Sequence, residues 1–497
     1  MKKFVRFIAV FLCALFAAAS AEAKDTLVIV TLADSKVMDP VAQSDTPSMT
    51  ACNAVYDNLV YVDENGGVSP MLAESWEVRD GIEYVFHLRK GVLFHNGEEF
   101  KAADVKFSID RALGPIGAHV NTLMQHVAGA EVIDDHTVVI RLKYPYSPFL
   151  PSLYNSAGAI VNRKAVEEAG DDYGMNPVGT GPFKFVSWQK GDRYTLERFE
   201  DYWGKKPGVK TLVVRSIPEP ASRTIELESG AADIAFYLPQ MDMKRIEENP
   251  ELRLERVMTN GIGYLGFNTQ KPPFDDVRVR QAVNAALDTE QMHKAVWRNV
   301  GQVPRSAVPP KIKYSCNDSY PEHVRDVEKA RSLLKEAGIG EIKCQLWTNE
   351  WQERVDLATI IQEQLAEVGI IAEIKVLEWG AYLEGLKNKD HDMFILGWPT
   401  NVDPDLAFTN TMQTGMPMNF SFFSNAEFDE LLRQGRLLSD GPEREALYKQ
   451  AQDLVNEQCP WVYLYLEEAV TGTRKNVKGF LPLPSLVHEV REICFED

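Results

Sequence analysis

Pro70-Met71-Leu72-Ala73-Glu74-Ser75-Trp76, then Tyr84-Val85-Phe86-His87-Leu88-Arg89-Lys90-Gly91-Val92, then Phe94-His95-Asn96-Gly97, then Ala103-Asp104-Val105 and Arg111-Ala112 follow one another between positions 70 and 112. Tyr84, Phe86 and Leu88 alternate with Val85, His87 and Arg89, which predicts a strand with one mainly apolar face. Asn96-Gly97 is a turn signal, because both residues tolerate positive φ. Val105, Ile109, Ala112 and Leu113 recur at helical spacing, with Asp104, Lys106, Asp110 and Arg111 mostly on the opposite face. Nothing in the stretch is arranged for chemistry, so it reads as scaffold.

The chain has 497 residues, enough for two or three domains with a large buried core. Hydrophobic residues at 45% and charged residues at 25% match an ordinary soluble globular protein. Residues 1–23 read as a secretory signal. Lys2, Lys3 and Arg6 form its positive start, an apolar run covers 5–19, and Ala21-Glu22-Ala23 is a small-residue cleavage site. Val10, Phe11 and Leu12 precede Cys13 where a lipoprotein would carry small residues, so the expectation is a free periplasmic protein of a Gram-negative host. No later stretch approaches the roughly 20 apolar residues of a membrane-spanning helix. The net charge of −19 becomes −21 once three basic residues and one acidic residue leave with the signal. That balance argues against nucleic acid or an anionic membrane as partner. Cys52, Cys316, Cys344, Cys459 and Cys494 remain after cleavage. None are at C-x-x-C spacing, which disfavours zinc. The compartment permits disulfides, the odd count leaves at least one free thiol, and no pairing is fixed.

Outward from the opening stretch, the mature chain begins with a strand over 26–31 and then Met38-Asp39-Pro40. A helix is predicted over 51–60, ending in Val55-Tyr56-Asp57-Asn58-Leu59-Val60. Asn176-Pro177-Val178-Gly179-Thr180-Gly181-Pro182-Phe183 follows a further strand over 136–142. Its glycines could cradle a phosphate, but no Lys-Ser/Thr follows to make a P-loop, and a tight chain crossing is the preferred reading. A hairpin turning at Lys190-Gly191-Asp192 comes next, then strands and helices in alternation, including strands over 253–258 and 261–268. Such alternation argues an α/β layer architecture. After Pro272-Pro273 a second α/β block runs to a strand over 461–467, followed by Lys475-Asn476-Val477-Lys478-Gly479-Phe480. Leu357, Ile360, Ile361, Leu365 and Val368 form an apolar stripe that reads as core.

These landmarks, in this order, resemble the family 5 solute-binding proteins of ABC importers, the receptors for dipeptides, oligopeptides, glutathione, nickel chelates and some sugars. The resemblance covers nearly all of the mature chain, from Met38 to Phe480. It implies a two-lobed periplasmic binding protein of α/β class (type II, cluster C-like) with a hinge and an additional third domain. Lobe I would comprise 24–47, 175–268 and 470–497, the extra domain 48–174, and lobe II 269–469. Related proteins usually carry Thr where this chain has Lys101, so a helix cap is missing there. The resemblance also implies a monomer that binds a small peptide or peptide-like ligand, closes on it, and docks on an inner-membrane permease with ATPase subunits. The last third, with Pro309-Pro310, Leu447-Tyr448-Lys449-Gln450-Ala451-Gln452-Asp453 and Pro460-Trp461, is especially similar to glutathione- and peptide-type receptors.

No G-x-S-x-G, H-E-x-x-H or Walker A motif occurs, and the nine histidines are scattered. No catalytic residue, metal site or cofactor is expected. A nickel, haem or oligosaccharide receptor, a periplasmic hydrolase and a chaperone-like peptide binder are the alternatives. Asp275-Asp276 and Glu467-Glu468 read as solvated faces or caps. For the ligand, the loop after a strand over 392–397 is the first candidate, because loops at the carboxyl ends of strands line clefts in open α/β sheets. It offers Trp398, Thr400, Asn401 and Asp403. In peptide-binding relatives an Asp of this loop pairs with the ligand's ammonium. This chain has Asn401 at that position, leaving Asp403 as the candidate partner of a ligand cation or, with Pro404, as a loop-shaping residue. Trp347 and Trp351 at the end of another strand could enclose a ligand or pack in the core. Arg354 could meet a ligand carboxylate through its two-pronged geometry or form a surface ion pair.

Overall fold

The computed structural model describes residues 24–43, 45–63, 66–117, 124–154, 158–399 and 403–496. The signal segment 1–23 and the candidates Thr400 and Asn401 therefore lie outside the described residues. One ten-stranded mixed sheet runs through both lobes. At the lobe II end, Ile370–Leu377, Ile342–Asn349 and Met393–Pro399 run parallel to one another. At the lobe I end lie Ile234–Ala235, Thr26–Thr31 and Thr211–Ser216, extended by the hairpin Phe183–Gln189 and Arg193–Arg198. Parallel strands covered on both faces need apolar side chains on both. Leu27, Ile29 and Val30 accordingly are buried together on one strand, and so are Met393, Phe394, Ile395 and Leu396 on another.

Two long strands, Leu252–Phe267 and Trp461–Arg474, sit side by side in the middle and belong to both lobes. They pair antiparallel from Leu252 opposite Arg474 to Gly266 opposite Trp461. The two strands expected over 253–258 and 261–268 are thus a single strand whose pairing slips between Met258 and Ile262. The expected strand over 461–467 likewise continues to Arg474. The ladder between the two long strands shifts register between Met258 and Ile262 and again between Gly263 and Tyr264. A bulge interrupts such a ladder locally and bends the strand that carries it.

The opening stretch builds a separate four-stranded antiparallel sheet, in the order Ala73–Arg79, Glu83–Leu88, Thr137–Leu142, Val127–Asp134. The helix Ala102–Leu113 covers it, and Phe86, Leu88, Phe94, Val105, Ile109 and Ala112 share its core. The missing cap at Lys101 is offset from the other side, because Asp104 accepts the Lys101 N–H at 2.9 Å. The helix expected over 51–60 lies at Thr46–Val55, started by Asp45, which accepts the Ser48 N–H at 3.0 Å, and by Pro47 in its first turn. The chain turns extended at Tyr56, so Leu59 and Val60 enter a short hairpin instead. Helices Thr289–Trp297 and Pro404–Met412 were not anticipated from periodicity. All five cysteines of the described residues are free thiols.

Gly179-Thr180-Gly181 is a tight crossing, as its glycines suggested. A Cβ on Gly179 would come within 2.1 Å of the Val55 carbonyl oxygen, and one on Gly181 within 2.6 Å of the Val55 carbonyl carbon. His95 of the opening stretch clamps this turn. Its ring accepts the Gly179 N–H at 3.3 Å through Nδ1 and donates from Nε2 to the Gly181 carbonyl at 2.9 Å. The Thr180 hydroxyl donates to Asp57 at 3.0 Å, the Trp203 indole donates to the same carboxylate at 2.8 Å, and Arg491 pairs with it. Arg111 binds Asp39 with both prongs, at 2.9 and 2.5 Å. The landmarks spread along the chain therefore meet around the Gly179–Gly181 turn, Asp57 and Asp39.

Candidate functional site

The strand Met393–Pro399 lies beside Leu252–Phe267, and the chain after its parallel neighbour Ile342–Asn349 supplies a polar group. After Ile342–Asn349 the chain turns through Trp351 into the helix Gln352–Ala366. Arg354 in the first turn of that helix points inward and is 7% exposed. Its Nε donates to the Tyr465 hydroxyl at 3.3 Å and its Nη1 to the Asn349 side-chain oxygen at 3.1 Å. The Trp351 ring lies 4.6 Å from its guanidinium carbon and meets Tyr465 edge-on. Tyr465 in turn stacks on Trp297, with centroids 4.2 Å apart. Gly397 completes the nest: a Cβ there would sit 3.0 Å from Arg354 Nη2. No carboxylate among the described residues forms an ion pair with Arg354. The surface ion pair entertained for it is corrected accordingly. Burial works against its charge, but Tyr465, Tyr382 and Glu467 offset that, and the guanidinium stays charged.

Lobe I contributes a small crevice, with room for no more than about one water molecule, lined by Thr31, Ala33, Pro47, Thr50, Phe236 and Tyr237. Tyr237 adopts a left-handed backbone (φ 55°), uncommon for an aromatic residue. Burial pushes its phenol up to about 12, and the charge of Glu467 adds to the shift. Glu467 on the hinge strand interacts in the other direction with Arg354 and Glu353 of lobe II. Glu467 is therefore within electrostatic range of Tyr237 on one side and of Arg354 and Glu353 on the other.

Two of the expected ligand contacts are corrected. Asp403 is fully buried and already committed. It accepts the Asp405 N–H at 3.0 Å as cap of the helix Pro404–Met412. Arg444 binds it with both prongs at 3.1 and 2.8 Å, and Lys313 approaches to 3.1 Å. Its loop-shaping role holds, and no carboxylate oxygen remains for a ligand cation. Trp347 is 7% exposed, donates to the Gln345 side chain at 2.9 Å and packs against Gly385. It belongs to a lobe II core with Tyr382, Leu386 and Phe394. Trp351 and Trp398 are half-buried, Trp351 over Arg354 and Trp398 opposite Ile262 of the hinge strand.

Sequence reasoning missed Tyr237, Asn349, Gly397, Tyr465 and Glu467. The Glu467-Glu468 pair was noticed but read as a solvated face or cap. Glu468 does pair with Arg256 at 3.3 Å, whereas Glu467 feels the charges of Arg354 and Glu353. The strand's period of two could have separated them. Asp276 of the other acid pair is a helix cap, accepting the Arg278 N–H at 2.8 Å. Among the described residues no group of three or more His, Cys, Asp or Glu could hold a metal ion, and no helix is long and apolar enough to cross a membrane.

A two-lobed α/β molecule with adjacent crossing strands and polar groups gathered at the junction defines a solute-binding protein. Residues 67–420 match the family model described as "Bacterial extracellular solute-binding proteins, family 5 Middle". The chain is 33% identical to the dipeptide-binding protein of Escherichia coli (strain K12) over 463 residues, 86% of each chain. It is also 33% identical to the glutathione-binding protein GsiB of Shigella dysenteriae over 95% of this chain and 94% of that one. The solved structure of the periplasmic binding protein DppA from Helicobacter pylori, in complex with the peptide STSA, superposes with a TM-score of 0.81 at 31% identity, covering 96% of this chain and 99% of that one. The chain belongs to the family 5 extracellular solute-binding proteins.

Proposed function

We propose that this protein is the periplasmic receptor of an ABC importer and captures a short peptide or peptide-like solute between its lobes. It delivers that solute to an inner-membrane permease whose ATPase subunits supply the energy, and itself performs no covalent chemistry. In this reading the signal is cleaved after Ala23. Lobe I is 24–47, 175–268 and 470–497, the extra domain is 48–174, and lobe II is 269–469. The observation that carries the ligand class is Arg354. A buried guanidinium held by neutral partners, with no carboxylate in ion-pair range among the described residues, has its charge best met by an anionic ligand group. A peptide's terminal carboxylate fits its planar fork. The dipeptide, glutathione and STSA named for the relatives all carry such a group.

The test uses the mature protein with glutathione and the tetrapeptide Ser-Thr-Ser-Ala, each as free acid and as C-terminal amide. Calorimetry is expected to show the free acid bound at least about tenfold more tightly than the amide, and Arg354→Gln to erase that preference. Ligand also raises the melting temperature by mass action. Failure of all four compounds to bind, or turnover of the peptide, overturns the reading.

A further inference from the structure

We infer that Glu467, on the hinge strand Trp461–Arg474, is the anchor for a positively charged group of the ligand, so that the solute is a short zwitterion held between Glu467 and Arg354. This rests on the peptide reading above and adds the second half of the recognition. Glu467 is half-buried and makes no hydrogen bond or ion pair with any described residue. The neighbouring acids are consumed: Asp403 by Arg444 and Lys313, Asp405 by Arg436 at 2.8 Å and by the Tyr448 hydroxyl at 3.1 Å, and Glu468 by Arg256.

The groups facing Glu467 come from three elements. Arg354 and Glu353 belong to the lobe II helix, Tyr237 to lobe I, and Tyr465 to its own strand. Glu467 is thus drawn towards Arg354 and repelled by Glu353, without an ion pair to the guanidinium. Once a ligand carboxylate takes Arg354, the junction holds an excess of negative charge that closure would strip of water. An uncompensated buried charge of that kind is costly. An ammonium on the same ligand supplies the missing charge, and the hinge position makes that contact available to either lobe as it closes.

Burial, reinforced by Glu353 and partly offset by Arg354, pushes the Glu467 carboxyl up to about 7. Near neutral pH the empty site is then partly protonated, and an arriving ammonium expels the proton by favouring the carboxylate. Binding of a free amine near pH 7 is accordingly accompanied by net proton release from Glu467.

The experiment compares glutathione and Ser-Thr-Ser-Ala with their N-acetylated forms by calorimetry at pH 7 in buffers of different ionisation enthalpy. Wild type and Glu467→Gln are both measured. The expected result is that N-acetylation weakens binding to the wild type about thirtyfold. Glu467→Gln weakens the free amines by a similar factor, leaves the acetylated forms within about threefold, and loses the proton release. The acetylated ligands on wild type keep the test decisive should the variant fold poorly. Equal affinity for free and acetylated amines, with proton release unchanged by Glu467→Gln, overturns the anchor and leaves the peptide reading standing. Absence of binding by every probe to the wild type overturns both.

Discussion

Asp403 and Glu467 have opposite fates because of the cations within reach. Arg444, fully buried, wraps Asp403 in a two-pronged pair, whereas Arg354 reaches Tyr465 and Asn349 and leaves Glu467 unpaired. His95 shows the same dependence on surroundings at the other end of the molecule. Burial holds its imidazole down to about 4, so it is neutral in the fold and can accept the Gly179 N–H. In the unfolded chain it titrates near its ordinary 6.5. Between those values the unfolded state binds more protons, so this group's contribution is complete above about pH 6.5 and is lost as pH falls towards 4. Urea unfolding of His95→Gln is expected to show a pH 7 to pH 4.5 loss of stability smaller than the wild type's by about 2 kcal/mol. His126, His391 and His488, each also held near 4 by burial, add slope of the same sign.

At the scale of elements, the opening stretch forms its strand, turn and helix because periodicity of two and of 3.6 is a local property. Glu83–Leu88 and Ala102–Leu113 lie where that periodicity put them. Boundaries set by tertiary partners were less legible. The run 51–60 carries helix-forming residues, yet the helix stops at Val55, where the Val55 carbonyl accepts the Gly181 N–H at 2.9 Å from a distant turn. Likewise the single hinge strand Leu252–Phe267 reads as two, because its bulge at 259–261 looks like a turn from sequence. The Gly179 crossing leaves no space for a side chain. Gly179→Ala is expected to cost at least about 3 kcal/mol in urea unfolding, or to abolish soluble expression. Gly340→Ala, with nothing near its Cβ position, serves as the tolerated control.

For the whole molecule, the extra domain reaches lobe II directly. The Ser147 N–H donates to the Arg436 carbonyl at 3.0 Å. Tyr146, buried and stacked on His126 with ring centroids 3.7 Å apart, senses the charges of Asp403, Asp405, Arg436 and Arg444. The ion-pair network that removed Asp403 from the ligand's reach thereby becomes the floor on which another domain rests. A contact that exists only with the lobes together adds to the closed population and hence to apparent affinity. Tyr146→Ala is expected to weaken every bound peptide several-fold without altering the preference for free carboxylate or free amine. Small-angle scattering should show less compaction at equal saturation. Unchanged affinity and compaction would assign Tyr146 to packing alone.

The amino-acid sequence by itself determined the family, the α/β class, the scaffold role of the opening stretch and the neighbourhood of Trp351, Arg354 and Trp398. All of these follow from local periodicity and from the order and spacing of short motifs. Which acid is spent and which is available was decided by the tertiary structure. Arg444 meets Asp403 across 41 residues and Arg354 meets Tyr465 across 111. A carboxylate's free charge depends on the cations and the burial that folding brings to it, and no local pattern in the chain records either.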